Sequence, residues 1–400
     1  MLLLTLLFVS NSAWAQRLWS AQDAAQFAVR ASPSVQSARW TVASAEATRA
    51  FAAVPRVGNP IVSLRLMVGL PDVPAATIGV LAGLPIDLSD RVGAASREAR
   101  WTVREAHHGL DVAVLDARFR ALDAWACLSL AQERVEVTES LARNAQTLAD
   151  RLAARERERA ATELELSLAL RDLAVTEADV ADARRARAEC EARFRDALGL
   201  SPTESVRAAS AAAITVPDLT REQIAQRAAE QRPERRWLEA GASRAVAQAQ
   251  RARASAVDPL VVAAEFEWQG YQQSSFGLSF NSTLPLVRRA QGEVSVSIAE
   301  SVALRARAEL ARDSAAREAV GAYDALVQRV RALDALTQRA IPAAEAAVRA
   351  TELLFDQGAV DTFRVLTARR ELSTLRLRLV DARLEALRAR FTLERAVGGL

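Results

Sequence analysis

The sequence predicts a mainly α-helical fold with a small β part, built twice over, each half carrying a pair of short strands and a long helical hairpin. Three observations predict it. Landmarks recur 200 residues apart: Pro33 and Pro233, Leu84-Pro85-Ile86 and Leu284-Pro285-Leu286, Gly199-Leu200 and Gly399-Leu400, with Asn59-Pro60 lying 199 residues before Asp258-Pro259. A fixed period of this kind marks an architectural repeat. The 400 residues hold only 15 Gly and 12 Pro amid abundant Ala, Leu, Arg and Glu, the composition of long helices with few turns. Four short segments alternate apolar and polar residues with the period of a strand.

The first 15 residues read as an export signal, with an apolar core from Leu2 to Val9 and Ala13-Trp14-Ala15 as an A-x-A cleavage site before Gln16. The region before that core has no Lys or Arg, and a buried N-terminal strand is the competing reading. Residue 16 is Gln and not Cys, so lipid attachment there is excluded. The first repeat then spans 16–200, an inter-repeat linker 201–219, and the second repeat 220–400.

A β-hairpin is expected at about 60–85 in the first repeat and 259–285 in the second. Val62, Leu64, Leu66, Val68 and Leu70 share one face, with Ser63, Arg65 and Gly69 on the other. Pro71, Asp72 and Pro74 make the turn, and Ile78, Val80, Ala82 and Leu84 alternate with Thr77, Gly79 and Gly83. In the second repeat Leu260, Val262, Ala264, Phe266 and Trp268 oppose Glu265, Glu267 and Gln269. Phe276, Leu278 and Phe280 oppose Gly277, Ser279 and Asn281. At roughly 8 to 11 residues each, these strands suit a tilted membrane crossing. The same alternation would serve a half-buried soluble sheet. An open sheet of four strands cannot sit in lipid, because its edges leave backbone groups unpaired. If lipid is the solvent, several copies must close one barrel, and three give a 12-stranded barrel of known size. Arg65, Glu265, Glu267 and Gln269 would then line its lumen.

The long helical hairpins are expected at about 93–198 and 292–398, their first arms each about 65 residues, or roughly 100 Å at 1.5 Å per residue. The last helix carries two seams at spacings of three and four. One is Leu372, Leu375, Leu379, Ala382, Ala386, Ala389, Leu393 and Ala396, and the other Leu377, Val380, Leu384, Leu387 and Phe391. Two seams call for a neighbour on either side, as in a closed cylinder of helices or in the core of a large bundle.

The composition excludes several function classes. The formal charge is +3 with the two signs interleaved, so no nucleic-acid partner is suggested. The chain has no lysine, hence no Walker-type phosphate loop. No uncharged apolar run of 18 residues exists to form a spanning helix. No catalytic constellation, cofactor motif or metal-ligand spacing is present, and the adjacent His107 and His108 point about 100° apart on a helix. Cys127 and Cys190 would lie level on antiparallel helices turning near residue 158, so either a disulfide or two buried thiols is expected there.

The duplicated layout, Pro-Ser-Val-Gln at Pro33, Asn59-Pro60 before a strand, the Leu-Pro-Ile and Leu-Pro-Leu strand exits and the segment Phe355-Asp356-Gln357-Gly358-Ala359-Val360-Asp361-Thr362-Phe363-Arg364-Val365-Leu366 resemble the TolC-type outer membrane efflux protein family. The compact strand loops and the missing lipid-attachment Cys look more like its heavy-metal-efflux branch. The resemblance implies a homotrimer, with a 12-stranded barrel in the outer membrane and a helical barrel in the periplasm. It would be the passive exit duct of a tripartite efflux system, opened by a periplasmic adaptor and energised by an inner-membrane pump of the RND type. The outer component of a type I secretion system remains an alternative, as does a non-membrane coiled-coil scaffold. The implied adaptor contacts are the hairpin tips: Glu158, Ala160, Ala161 and Thr162, with Gly358, Ala359, Asp361 and Thr362. The implied periplasmic gate is Asp361, Arg364 and Thr367. Where family members often place carboxylates this chain has Arg364 and Thr367, so the gate would favour anions, or Arg364 would pair across subunits.

Overall fold

The structure, a computed structural model, describes residues 18–52, 58–67, 77–269, 273–283 and 289–399. The export signal, Gln16, the strand residues Val68 and Leu70, the turn at Pro71, Asp72 and Pro74, and Leu284-Pro285-Leu286 lie outside the described residues. The first repeat contains β1 (Leu18–Trp19), α1 (Ala21–Ala31), α2 (Pro33–Phe51), β2 (Ile61–Met67), β3 (Thr77–Ile86), α3 (Arg91–Arg157) and α4 (Glu163–Leu198). After β4 (Arg207–Ala208), the second holds α5 (Arg221–Gln231), α6 (Pro233–Ser255), β5 (Leu260–Gln269), β6 (Gln273–Asn281), α7 (Gln291–Ala335), α8 (Ile341–Asp356) and α9 (Thr362–Ala396). The duplication extends to local chemistry. α1 and α5 begin 200 residues apart, each with a capping box, Ser20 with Asp23 and Thr220 with Gln223, and each stops before Pro33 or Pro233.

The arms of the hairpins differ. α3 runs for 67 residues without a break. Its counterpart is interrupted where Leu336–Ala340 wind as a π-helix, the N–H of Ile341 bonding the carbonyl of Leu336 five residues back. Pro342 follows at once, and its ring cannot coexist with a tight carbonyl four residues earlier, so the wider turn accommodates it.

Two compact units cut across the repeats. One comprises Ser37–Val112 and Pro233–Arg312 and contains the sheet β2-β3-β5-β6, antiparallel throughout. Its helices lie side by side in the same order as the strands they adjoin. α2 meets α3 through Ser96 Oγ, which donates to Ala52 O at 2.9 Å, and through His107 and Glu46 at 3.6 Å. α3 meets α6 where Arg244 and Arg251 pair with Glu105 and Glu98 at 2.6 and 3.0 Å. α6 meets α7 where Arg244 also holds Glu300 at 2.7 Å. Gly241 permits this approach, since a Cβ there would lie 2.9 Å from Glu105 Oε1 and 3.4 Å from Leu304 Cδ1.

The other unit comprises Met1–Gln36, Ala113–Arg232 and Asp313–Leu400. Its main core gathers Trp19, Trp125, Leu128, Leu130 and Phe194, and β1 pairs in parallel with β4. Trp19 O accepts from Trp125 Nε1 and from the Ala209 N–H, both at 2.8 Å. The linker 201–219 is therefore a packed part of this core, with Ile214 against two clusters. Part of each seam of α9 is filled from its own chain. Val380, Leu384, Leu387 and Phe391 join the core beside α3 and α4, while Ala389, Leu393 and Ala396 pack on Ala315, Ala319 and Leu326 of α7. For these residues one copy supplies a neighbour on either side.

Candidate functional site

The register of the sheet turns the alternation of each strand into two continuous faces. Apolar positions meet across the strands: Leu64, Val80, Phe266 and Phe276 form one row, Val62, Ala82, Ala264 and Leu278 the next. A slip of one residue in any pair would have broken this face. It faces away from the chain, with Leu64 and Phe276 each 72% exposed and Leu278 64%. On the opposite face Arg65 shares a row with Gly79, Glu267 and Ser275. Glu265 shares one with Ser63, Leu81 and Gly277, and Gln269 one with Met67, Thr77 and Gln273. The four expected polar residues are thus on one face and on adjacent levels. The outer edges of β2 and β6 carry no strand partner among the described residues.

At the hairpin tips, the chain reverses through left-handed residues at Arg159, φ 59°, and Gly358, φ 71°. The left-handed residue of the first tip is one place later than Glu158, which stands 200 before Gly358. The tips therefore superpose at an offset of 199 residues: Ala160 and Ala359 both close the turn by bonding a carbonyl five residues back, and Thr162 and Asp361 both cap the next helix. Ala161 packs on the small cluster of Leu148, Leu152 and Ala169.

Of the three expected gate residues, Asp361 accepts the backbone N–H of Arg364 at 3.1 Å, so its carboxylate is occupied as a helix cap. Arg364 is exposed and makes no ion pair among the described residues. The Thr367 hydroxyl donates to Phe363 O at 2.8 Å within its own helix. Thr367 and Phe363 line a cleft of about 510 Å³ with Leu168, Leu366 and Leu375.

A residue that sequence reasoning does not single out ties the two tips together. Glu165 accepts from the Thr162 N–H and hydroxyl at 2.8 and 2.9 Å, and from the Thr362 hydroxyl at 2.5 Å. Thr-x-x-Glu at 162–165 is a capping-box signal, but nothing in the sequence names Thr362 as the third partner. Nearby, the Arg155 guanidinium lies 5.0 Å from the Phe355 ring centre. The Thr162 N–H first, and then the Thr362 hydroxyl, hold the Glu165 carboxyl below its ordinary value. A carboxyl depressed in the fold adds stability that is complete above its unfolded value of about 4.3 and is lost as pH falls through the folded value. The tie is charge-assisted but only partly buried, so solvent screening leaves it worth about 1 kcal/mol. Nitroxide pairs placed by Glu158→Cys and Gln357→Cys are expected to keep a narrow distance distribution at pH 7 that broadens below about pH 4. Glu165→Ala should be broad already at pH 7; a wild-type distribution unchanged in acid would refute the tie.

Cys127 and Cys190 are joined in a disulfide, with Cα atoms 5.5 Å apart, inside the main core. His107 and His108 face different acids, Glu46 and Asp111. Among the described residues no group of His, Cys, Asp and Glu could hold a metal, and no helix is long and apolar enough to cross a membrane.

Residues 220–399, the second repeat, match the family model described as outer membrane efflux protein. No curated protein sequence matches. Among solved structures the chain is similar to CusC, studied for folding and transmembrane channel formation, at 17% identity and TM-score 0.78, covering 98% of this chain and 96% of that one. It is similar to the Campylobacter jejuni CmeC outer membrane channel at 13% identity and TM-score 0.77, over 95% and 85%. The Neisseria gonorrhoeae MtrE outer membrane channel in its open state matches at 18% identity and TM-score 0.73, over 95% and 89%. Likeness at these identities carries the fold, not a cargo or a branch. The resemblance to the TolC-type family is borne out, by sequence over the second repeat and by fold along nearly the whole chain.

Proposed function

We propose, from that family match, that this chain is the outer-membrane exit duct of an efflux system, a homotrimer whose four strands per copy complete a 12-stranded barrel. The observation that carries the reading is the sheet: one continuous apolar face, one polar face, and two unpartnered edges among the described residues. An apolar sheet face in water would aggregate, and an open edge in lipid would leave backbone groups unsatisfied, so the arrangement suits lipid only if copies join edge to edge. Arg65, Glu265, Glu267 and Gln269 then face the water-filled lumen.

The duct is passive. It lacks the phosphate-binding lysine of an ATPase, so the driving force comes from an inner-membrane pump, with a periplasmic adaptor meeting the tips around Glu158–Thr162 and Gly358–Thr362. Asp361, Arg364 and Thr367 belong to the gate in this reading, with Arg364 supplying the positive charge. Fractionation tests it: a detergent-requiring trimer in outer membranes that conducts in planar bilayers is the expected result. A salt-extractable monomer would overturn it.

A further inference from the structure

A cavity of about 490 Å³ lies among α3, α4, α8 and α9, all its walls supplied by one compact unit of one copy. Leu141, Ala145, Leu148 and Leu372 give it a buried apolar floor, which Val348 of α8 extends. α8, which borders it, has no fully buried residue. The volume is that of a small-molecule site, which joins apolar lining to a few placed polar groups.

The charges around the cavity form a ladder with one unfilled rung. Across the antiparallel pair α8 and α9, Glu345 meets Arg376 at 3.0 Å and Glu352 meets Arg369 at 2.8 Å. Arg349 stands between them, four residues after Glu345 and three before Glu352, so it is level with Leu372 and Ser373 of α9. Neither offers a carboxylate, and the Ser373 hydroxyl donates to Arg369 O at 2.8 Å within its own helix. Arg349 lines the cavity and makes no ion pair among the described residues. Arg369 is further engaged by Asn144 O of α3 at 3.2 Å. The last acid on the walls, Asp172, is held by Arg370 at 3.0 Å. One guanidinium therefore faces the cavity without a counter-charge.

We propose that this cavity binds an organic monoanion, a carboxylate-bearing molecule whose charged group completes the middle rung at Arg349 while its apolar body lies on Leu141, Leu148 and Val348. The planar guanidinium fork matches a carboxylate, and a charge-assisted pair of this kind is the strong form of hydrogen bond. An organic cation would add to the unmatched positive charge. A bare inorganic anion would satisfy Arg349 but leave the apolar floor to water. The site goes beyond the duct reading and does not need it, since one copy supplies every wall.

The test uses the full chain in detergent with its native disulfide intact, and 2-naphthoate as the probe. Calorimetric titration should show saturable binding. Arg349→Gln should weaken it by about tenfold or more, and Arg349→Lys should restore part of the loss. Ser373→Asp supplies the missing carboxylate from within the chain, so it should abolish binding while the circular dichroism stays that of the unmodified protein. Location is read separately: the thiol of Val348→Cys should react with a maleimide, and naphthoate should slow that reaction. The neutral isostere 2-naphthylmethanol and inorganic sulfate should not. Equal protection by sulfate would overturn the organic ligand, and equal protection by naphthylmethanol would overturn the part given to Arg349. An unreactive Val348→Cys thiol, or undiminished binding to Arg349→Gln or Ser373→Asp, would overturn the site itself.

Discussion

Arginine at Val80 is expected, on the proposed duct reading, to remove this chain from the outer membrane, while arginine at Leu81, the next residue, leaves it there. Val80 lies on the inner strand β3 between Leu64 and Phe266 on the apolar face, whereas Leu81 pairs with Ser63 and Glu265 on the polar one. On a lipid-facing barrel position near the bilayer centre an arginine costs about 2–4 kcal/mol, and a barrel shared by three copies meets that cost three times, about 6–12 kcal/mol in all. An arginine at position 81 would face water with the Glu265 carboxylate in the adjacent strand, at little cost. The measurement is the quantity of trimer in the outer-membrane fraction and its conductance. Equal loss from both substitutions, or the reverse order, would mean that lipid does not cover this face.

How much of this was legible follows from the range of the interactions. The strands were readable because each carries its own period, and Val62, Val80, Phe266 and Leu278 needed no partner to announce their face. Their union into one continuous face is a matter of register, which the two-residue period constrains once one side must be apolar. The tips were readable from Gly358 and the duplication, to within the single residue that separates Glu158 from the left-handed Arg159. An arginine tolerates that conformation at a cost of about 1 kcal/mol, so no glycine marked the turn.

What escaped the sequence depends on contacts between distant segments. The pairing of Leu18–Trp19 with Arg207–Ala208 involves two residues on each side, too few to show a period. The third partner of Glu165 lies 197 positions away. The π-helix before Pro342 has a sequence signal in a proline within an otherwise helical pattern, although a kink would have been an equal solution. The seams of α9 call for two neighbours, and from Val380 onward one copy supplies them, but periodicity counts neighbours without saying which chain they come from.

Removing the Cys127–Cys190 link is expected to destabilise the protein by about 2–4 kcal/mol while leaving the behaviour of the tips unchanged. The link closes a loop of 63 residues, and for that span the loss of unfolded-chain entropy is about 4 kcal/mol, with measured effects usually smaller. The double variant Cys127→Ala, Cys190→Ala is the right comparison, because serines in this core would add the cost of buried hydroxyls. Its denaturant midpoint in detergent should fall, and a reductant should lower the midpoint of the wild type but not of the variant. The tips should not respond, since the link lies 30 residues from the end of α3, roughly 45 Å along the helix. In the second repeat the positions 200 residues on are Val327 and Arg390, so that hairpin has no corresponding link. The duplication therefore yields one hairpin fastened near its base and one that is not, with Glu165 and Thr362 as a direct hydrogen bond between their ends. Two free thiols in the folded, unreduced protein would remove this asymmetry, and a loss of the narrow tip distance in the double variant would show that the base and the tips are coupled.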